Sequence, residues 1–326
     1  MQAIVLVGGE GTRLRPLTDL VPKPALTLVD RPFLAYTIEW LAGHGVSEVV
    51  LACGFLPDVL REALVGEEDR ATVTIEYVTE PEPLGTAGAI RFAADHLGDR
   101  LDERFLALNG DVLADLDLTA LLRAHEDHAA SATLGLHPVE DSAAYGLVRT
   151  APDGSVLDFT EKTGRPVPGE INAGTYVLER RVLDLIPPGH RVSIERDVFP
   201  RLVGDGLYGL CLDGYWMDIG TPDRYLQASW DILEDAVSTR VEPTAPGVLV
   251  AADTEIAAGA TVGPRAVLAP GCRIATGAVV RESVLLDGCV VGEGAQVSGS
   301  VLGPGVEVSP GAALEGALAA EGERVG

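Results

Sequence analysis

Gly8-Gly9-Glu10-Gly11-Thr12-Arg13-Leu14-Arg15-Pro16-Leu17-Thr18 directly follows the apolar run Ala3-Ile4-Val5-Leu6-Val7 and is closed a few residues on by Pro22-Lys23-Pro24. The apolar run reads as a strand buried in a parallel sheet. Glycines just past a strand end let the backbone approach a ligand closely, and the N–H groups there can cradle a phosphate. Neither common nucleotide loop fits. A P-loop needs Lys and Ser or Thr straight after its last glycine, and Leu14 stands where a dinucleotide fingerprint needs its third glycine. What remains is a glycine turn, then Arg13, then a lysine between prolines. Both prolines restrict the backbone, which predicts that the Lys23 ammonium arrives from a stiff, extended segment.

Outward from this stretch, 326 residues are enough for two domains and a large core. No apolar run approaches the ~18 residues of a membrane span, and the N-terminus has no basic flank or cleavage site, so a cytosolic protein is expected. The net charge of −25 argues against nucleic acid or an anionic membrane as a partner. Cys53, Cys211, Cys272 and Cys289 show no metal-like spacing and sit among apolar residues, which predicts buried free thiols. Of 24 basic residues only Lys23 and Lys162 are lysine, and Asn109 and Asn172 are the only asparagines. Where Arg and Ala have replaced these types nearly everywhere, the survivors mark positions at which a compact ammonium or an amide is needed. The six histidines form no metal or triad pattern and receive no role.

Elements alternate downstream. A helix is expected near 33–43, a strand at 48–52, a helix at 57–64, a strand at 73–78 and a helix ending near His96. This is a doubly wound, mostly parallel α/β sheet, in which ligands bind beyond the carboxyl ends of the strands. The strand 104–108 then runs into Asn109-Gly110-Asp111, either a plain turn or a carboxylate placed for a divalent cation. Asp115 and Asp117 read as the start of a helix near Leu118. Longer strands follow from Ser131, carrying Tyr145-Gly146, Glu161-Lys162 and Asn172-Ala173-Gly174-Thr175. Gly214-Tyr215-Trp216-Met217-Asp218-Ile219-Gly220 then leads into a helix capped by Thr221 with Pro222 in its first turn.

The glycine stretch with Pro22-Lys23-Pro24 closely resembles the signature of the sugar-1-phosphate nucleotidyltransferases. Their reaction joins a nucleoside triphosphate to a sugar 1-phosphate and releases pyrophosphate. The resemblance covers about residues 1–235 and implies roles residue by residue. Arg13, Lys23 and Lys162 would be catalytic. Leu6, Gly8, Gly9, Gly11, Thr12, Glu80, Pro83 and Gly85 would bind the nucleotide. Gly110, Tyr145, Gly146, Glu161, Lys162, Asn172, Thr175 and Trp216 would line the sugar-phosphate pocket, and Asp111 and Asp218 would hold Mg²⁺. Glu80 stands where thymidylyl-transferring relatives carry Gln. A carboxylate only accepts hydrogen bonds and guanine offers two adjacent donors, so GTP is the expected nucleotide. The bland alternative is that Glu80 caps a turn. The combination resembles most the branch acting on mannose 1-phosphate, ahead of heptose 1-phosphate with GTP or glucose 1-phosphate with dTTP or UTP. A regulatory subunit without activity would be expected to lose Arg13, Lys23 or a metal carboxylate, and all are present.

Residues 238–246, with Pro243, read as a linker between a catalytic domain (1–237) and a repeat domain (247–326). In the latter, Ile256, Val262, Leu268, Ile274 and Val280 recur every six residues. After a slip, Leu285, Val291 and Val297 keep the period, and Leu302, Val308 and Leu314 resume it. A six-residue apolar period with glycine at turns predicts a parallel β-helix, resembling the left-handed hexapeptide type, of three to four coils. No histidine follows His190, which argues against acyl transfer there. This domain is read as an assembly surface of a homo-oligomer, with a frayed tail from Ala319.

Overall fold

The computed structural model describes residues 1–160, 164 and 166–326. By internal packing the chain forms two compact units. One comprises Met1–Gly9 with Thr37–Trp216, the other Glu10–Tyr36 with Met217–Gly326.

The first unit is built on a nine-stranded sheet. Its strands are β1 (Gln2–Val7), β2 (Glu48–Cys53), β3 (Thr74–Thr79), β4 (Arg104–Asn109), β5 (Ala132–Val139), β6 (Leu147–Thr150), β7 (Val156–Thr160), β8 (Gly169–Glu179) and β9 (Leu207–Cys211). The path runs β7-β6-β8-β4-β1-β2-β3, and β5 pairs with both β8 and β9. From β4 through β1 and β2 to β3 every pairing is parallel. Beyond β4 the sheet turns antiparallel at β8. The parallel strands are near-continuous apolar runs because helices cover them: the helix Gly85–Leu97 buries Ala87, Ile90, Ala93, Ala94 and Leu97 against Ile4, Val50 and Ala107. The carboxyl ends of the parallel strands therefore deliver Gly8, Gly54, Glu80 and the Asn109-Gly110-Asp111 turn.

Asn172-Ala173-Gly174-Thr175 is a bulge within β8. Asn172 stands opposite Leu136, but Tyr176 stands opposite Leu134, so the β8 side has extra residues. A bulge bends its strand and re-aims side chains. Two histidines given no role make specific contacts: His125 is fully buried, with Nδ1 2.8 Å from Thr133 and Nε2 3.1 Å from Glu179, and His137 stacks on Trp216. Asp117 caps the helix Leu118–Asp127 as expected, whereas Asp115 exchanges backbone and side-chain hydrogen bonds with Tyr215.

In the second unit, residues 10–36 pack with the C-terminal part of the chain. Leu14, Lys23, Leu26, Leu28, Phe33, Ile219 and Tyr225 share one small apolar cavity. The Tyr225 hydroxyl, on the helix Pro222–Leu233, donates to the Thr27 carbonyl. Lys23 does not sit in an extended segment. Pro22 is extended, but Lys23 opens a 3-10 turn through Ala25, which the fixed φ of Pro24 permits.

The rest of this unit is a left-handed parallel β-helix. Two of its faces have five stacked strands and the third has four, more than the expected three to four coils. The extra coil comes from Val248–Val250 at the start and from Leu318–Ala319 and Arg324–Val325 at the end, so the tail is paired rather than frayed. Alanine at an inward position, Ala319, makes the apolar period faint there. Strand partners lie 18 residues apart in the first coil (Val248 opposite Ala266) and 17 apart afterwards (Ala266 opposite Ser283, Val301 opposite Leu318). One missing corner residue per coil is the slip in the six-residue period. At that shortened corner Ser300 N donates to Ser283 Oγ, and Ala317 N to Ser300 Oγ. Of the cysteines, Cys53, Cys272 and Cys289 are buried and free, but Cys211, the last residue of β9, is exposed. Among the described residues no helix is long and apolar enough to cross a membrane.

Candidate active site

Candidate site residues occur in both units, and the chain passes from one unit to the other at Gly9-Glu10, Tyr36-Thr37 and Trp216-Met217. In the unit containing the signature loop, the centre is Asp218. Lys23 Nζ lies 3.7 Å from Asp218 Oδ1, and Arg13 Nη2 and Arg224 Nη1 lie 3.9 and 3.8 Å from Oδ2. Three cations thus surround one carboxylate at distances just beyond direct hydrogen bonding. Lys23 is buried and stands 6.0 Å from the Phe33 ring centroid, while Arg13 is exposed.

The loop geometry explains the signature. Gly11 has φ +62°, and a Cβ on it would lie 3.1 Å from Lys23 Cβ and 3.2 Å from Thr18 Cγ2. The buried Thr18 hydroxyl donates to the Gly11 carbonyl at 2.9 Å. Gly220 carries the Arg13 guanidinium directly against its α-carbon, since a Cβ there would fall 2.7 Å from Arg13 Cζ. Arg224 reaches back from the first turn of its helix, and Nη1 donates to the Asp218 carbonyl at 3.2 Å. No sequence signal singled out Arg224, one arginine among many.

In the unit built on the sheet, Gly8 and Gly9 are exposed at the end of β1, and Glu80 Oε1 is 3.6 Å from where a Gly8 Cβ would be. Glu80 does act as a cap: Leu84 N donates to Oε2 at 2.9 Å. Burial raises its pKa, and that backbone hydrogen bond offsets part of the rise. Oε2 is thus engaged by the turn, while Oε1 faces Gly8. Gly85 and Gly88 are packing positions. Their Cβ atoms would strike the carbonyls of Val192 and His190, at 2.7 and 2.6 Å. Gly110 N donates to Leu6 O at 2.9 Å, which sets exposed Asp111 beside the end of β1.

Trp216 Nε1 donates to Ala173 O at 2.8 Å, and Tyr145 meets the indole edge-on at 5.4 Å. Asn172 is partly committed to the fold: Nδ2 donates to the Tyr176 hydroxyl at 2.8 Å, and Oδ1 accepts from Gly174 N at 2.9 Å. Tyr176 in turn donates to Glu195, which also accepts from Thr86 and Ser193. Burial first, then the Glu195 charge, holds the Tyr176 phenol well above its ordinary pKa. Sequence reasoning missed this partly buried chain from the bulge to the helix start at Thr86, of which only Tyr176 is fully buried. Pro83 and Thr12 are exposed, Gly146 is half-buried and Thr175 is buried. Glu161 and Lys162 lie outside the described residues. Among the described residues no three His, Cys, Asp or Glu side chains gather into a metal cage.

Residues 2–235 match the family described as Nucleotidyl transferase, and residues 244–325 match the GMPPB C-terminal domain. The chain is 39% identical over 301 residues to a mannose-1-phosphate guanylyltransferase of Mycobacterium tuberculosis, which covers 86% of this chain and 83% of that protein. It is 37% identical over 276 residues to a mannose-1-phosphate guanyltransferase of Schizosaccharomyces pombe, covering 84% and 74%. Among solved structures, HddC from Yersinia pseudotuberculosis superposes with a TM-score of 0.62 at 28% identity, covering 71% of this chain and 99% of that one. The same protein complexed with GMP-PN gives 0.61.

Proposed function

The chain belongs to the nucleotidyl transferase family, and from that premise we propose that it transfers a guanylyl group from GTP to mannose 1-phosphate, giving GDP-mannose and pyrophosphate. The observation that carries this reading is the grouping of Arg13, Lys23 and Arg224 around Asp218. The relatives named as mannose-1-phosphate guanylyltransferases support the choice of sugar, and the neighbour complexed with GMP-PN supports the base.

A sugar-phosphate oxygen attacks the α-phosphorus of GTP and the bond to pyrophosphate breaks. The nucleophile is ionised near neutrality, since the second pKa of a phosphate monoester is about 6, so no general base is required. Catalysis reduces to holding two anions together and stabilising charge on the leaving pyrophosphate. We assign Arg13 and Lys23 to the triphosphate and Lys162 to the sugar phosphate. Gly8, Gly9, Gly11 and Thr12 present backbone to the nucleotide, and Glu80 accepts from the guanine edge. Tyr145, Asn172 and Trp216 line the sugar side.

Enzymes of this family generally use a divalent metal; we assign Mg²⁺ to Asp111 and Asp218. Carboxylate oxygens suit that ion, which takes one or two of them and fills its remaining positions with phosphates and water. With Lys23, Arg13 and Arg224 all within 4 Å of Asp218, we assign the ion as one that arrives with the triphosphate. Bound there, it would neutralise phosphate charge. The four unpaired cysteines suit a reducing, cytosolic compartment. We also assign the β-helix to homo-oligomer assembly; Ile256, in an inward position of the first coil, is 44% exposed in the single chain. A monomeric mass by light scattering at micromolar concentration would overturn that assignment.

Pyrophosphate release across four nucleoside triphosphates and mannose, heptose and glucose 1-phosphates tests the reaction. GTP with mannose 1-phosphate should give the highest kcat/KM, and a preference for dTTP or UTP would remove the base assignment. Because protonation turns one Glu80 oxygen from an acceptor into a donor and removes the charge, the KM for GTP should rise as pH falls through its raised pKa.

A further inference from the structure

We infer that His137 is a positioning residue for the sugar side of the reaction, holding the Trp216 indole as a platform for a pyranose ring; this rests on the sugar-phosphate assignment above. His137 lies in β5 opposite Ile171, one residue from Asn172. Its ring stacks on Trp216 with centroids 5.5 Å apart and planes 26° from parallel. Tyr145 approaches the same indole edge-on, at 77°, and the indole N–H is tied to the Ala173 carbonyl of the β8 bulge. The indole is thus restrained by a stacked ring, a second ring edge-on and a hydrogen bond. A platform ordered before binding loses little side-chain freedom when a ligand settles on it.

Hydrogen bonding does not account for a histidine at this position. Among the described residues, His137 Nδ1 is the one buried side-chain nitrogen or oxygen without a hydrogen-bond partner. A buried unpaired nitrogen is a cost to the fold. What the residue supplies is a flat aromatic face, and burial lowers its pKa, which favours the neutral ring against the indole. A hexopyranosyl 1-phosphate offers the matching surface, an apolar C–H face on a ring edged with hydroxyls. Tilting the indole would change which epimer's C–H face lies flat on it, so His137 bears on sugar discrimination without touching the reacting atoms.

The test is steady-state kinetics on the full-length protein, varying GTP and mannose 1-phosphate separately and repeating the sugar series with glucose 1-phosphate. His137→Leu fills the space without a planar face, and His137→Phe keeps the face without the nitrogens. His137→Leu should raise the KM for mannose 1-phosphate about three- to tenfold, the worth of one aromatic stack, and narrow the mannose-to-glucose preference. It should leave the KM for GTP within about twofold. His137→Phe should restore both sugar parameters. Unchanged sugar KM and preference in His137→Leu, parallel changes in both KM values, or a folded His137→Phe as impaired as His137→Leu would each overturn the inference. A wild-type protein that releases no pyrophosphate with any sugar phosphate would remove the functional reading, and this inference with it. An active wild type with indifferent variants would remove this inference alone.

Discussion

Gly220 and Gly288 are both glycines of the signature-loop and β-helix unit, and they are glycine for opposite reasons. At Gly220 a Cβ would collide with the guanidinium of Arg13, and the backbone has no positive φ. At Gly288 nothing lies within 4 Å of a built Cβ, but φ is +69°. The first leaves room for a working side chain, the second permits a corner. The same contrast separates the two regions. Around Asp218 the backbone is irregular and the arrangement is specified by charge, whereas in the β-helix side chains repeat and the backbone is specified by stacking. Substitutions in the first region should cost turnover at constant stability, and those in the second should cost stability at constant turnover.

The widest separation should come from Arg13→Ala and Lys23→Ala. Each removes a cation assigned to the triphosphate and should lower kcat by about a hundredfold or more, measured as pyrophosphate release. Near-wild-type turnover in either would take that residue out of the mechanism and blur the contrast. Chelation of divalent metal should likewise abolish turnover, with Mg²⁺ restoring it.

Gly220→Ala sharpens the comparison because its backbone tolerates alanine. The methyl group should displace Arg13 and lower kcat about tenfold, since small misplacements of a catalytic group carry large rate costs. The melting temperature should hardly move, and a variant that unfolds instead would show that Gly220 serves packing. Gly288→Ala should do the reverse: about 1–2 kcal/mol less stable in urea unfolding, the cost of a left-handed residue with a Cβ, with unchanged turnover per folded molecule.

The smallest effect belongs to a buried group outside both regions. Burial holds the His125 pKa below its ordinary 6.5, although Glu179 pulls the other way. The unfolded chain therefore takes up that proton first. The stability contributed by neutral His125 is full above about pH 6.5 and is lost as pH falls through the folded value. His125→Gln should flatten the fall in melting temperature between about pH 7 and 5. An equal slope in both proteins would mean that His125 does not titrate in that range.

Much of the fold was legible because it rests on local periodicity. The apolar run of β1, the alternation through β3 and the six-residue repeat each announce an element without reference to distant residues. The β-helix ends were misread where periodicity faded, at Ala319 and Arg324–Val325, since an alanine or a charged neighbour hides an inward position. Arg13 and Lys23 were singled out by a long signature and Asp218 by the family resemblance, and the structure groups the three side chains. Arg224, Tyr176, Glu195 and His137 were not singled out: Arg224 lies only six residues from Asp218 but carries no pattern that sets it apart, and the partners of Glu195 and His137 include Thr86 and Trp216, far along the chain.

The amino-acid order by itself determined a parallel α/β sheet with a glycine turn at its leading edge, a coiled repeat behind it, and the scarce lysines and asparagines as marked positions. Periodicity and residue scarcity are one-dimensional properties, so they survive without coordinates. Only the tertiary structure decided that three cations share Asp218, that Glu80 commits one oxygen to a turn and leaves the other facing Gly8, and that a histidine with an unpaired Nδ1 lies against Trp216. Those facts are distances between residues far apart along the chain, set by how strands register and how a bulge turns a side chain.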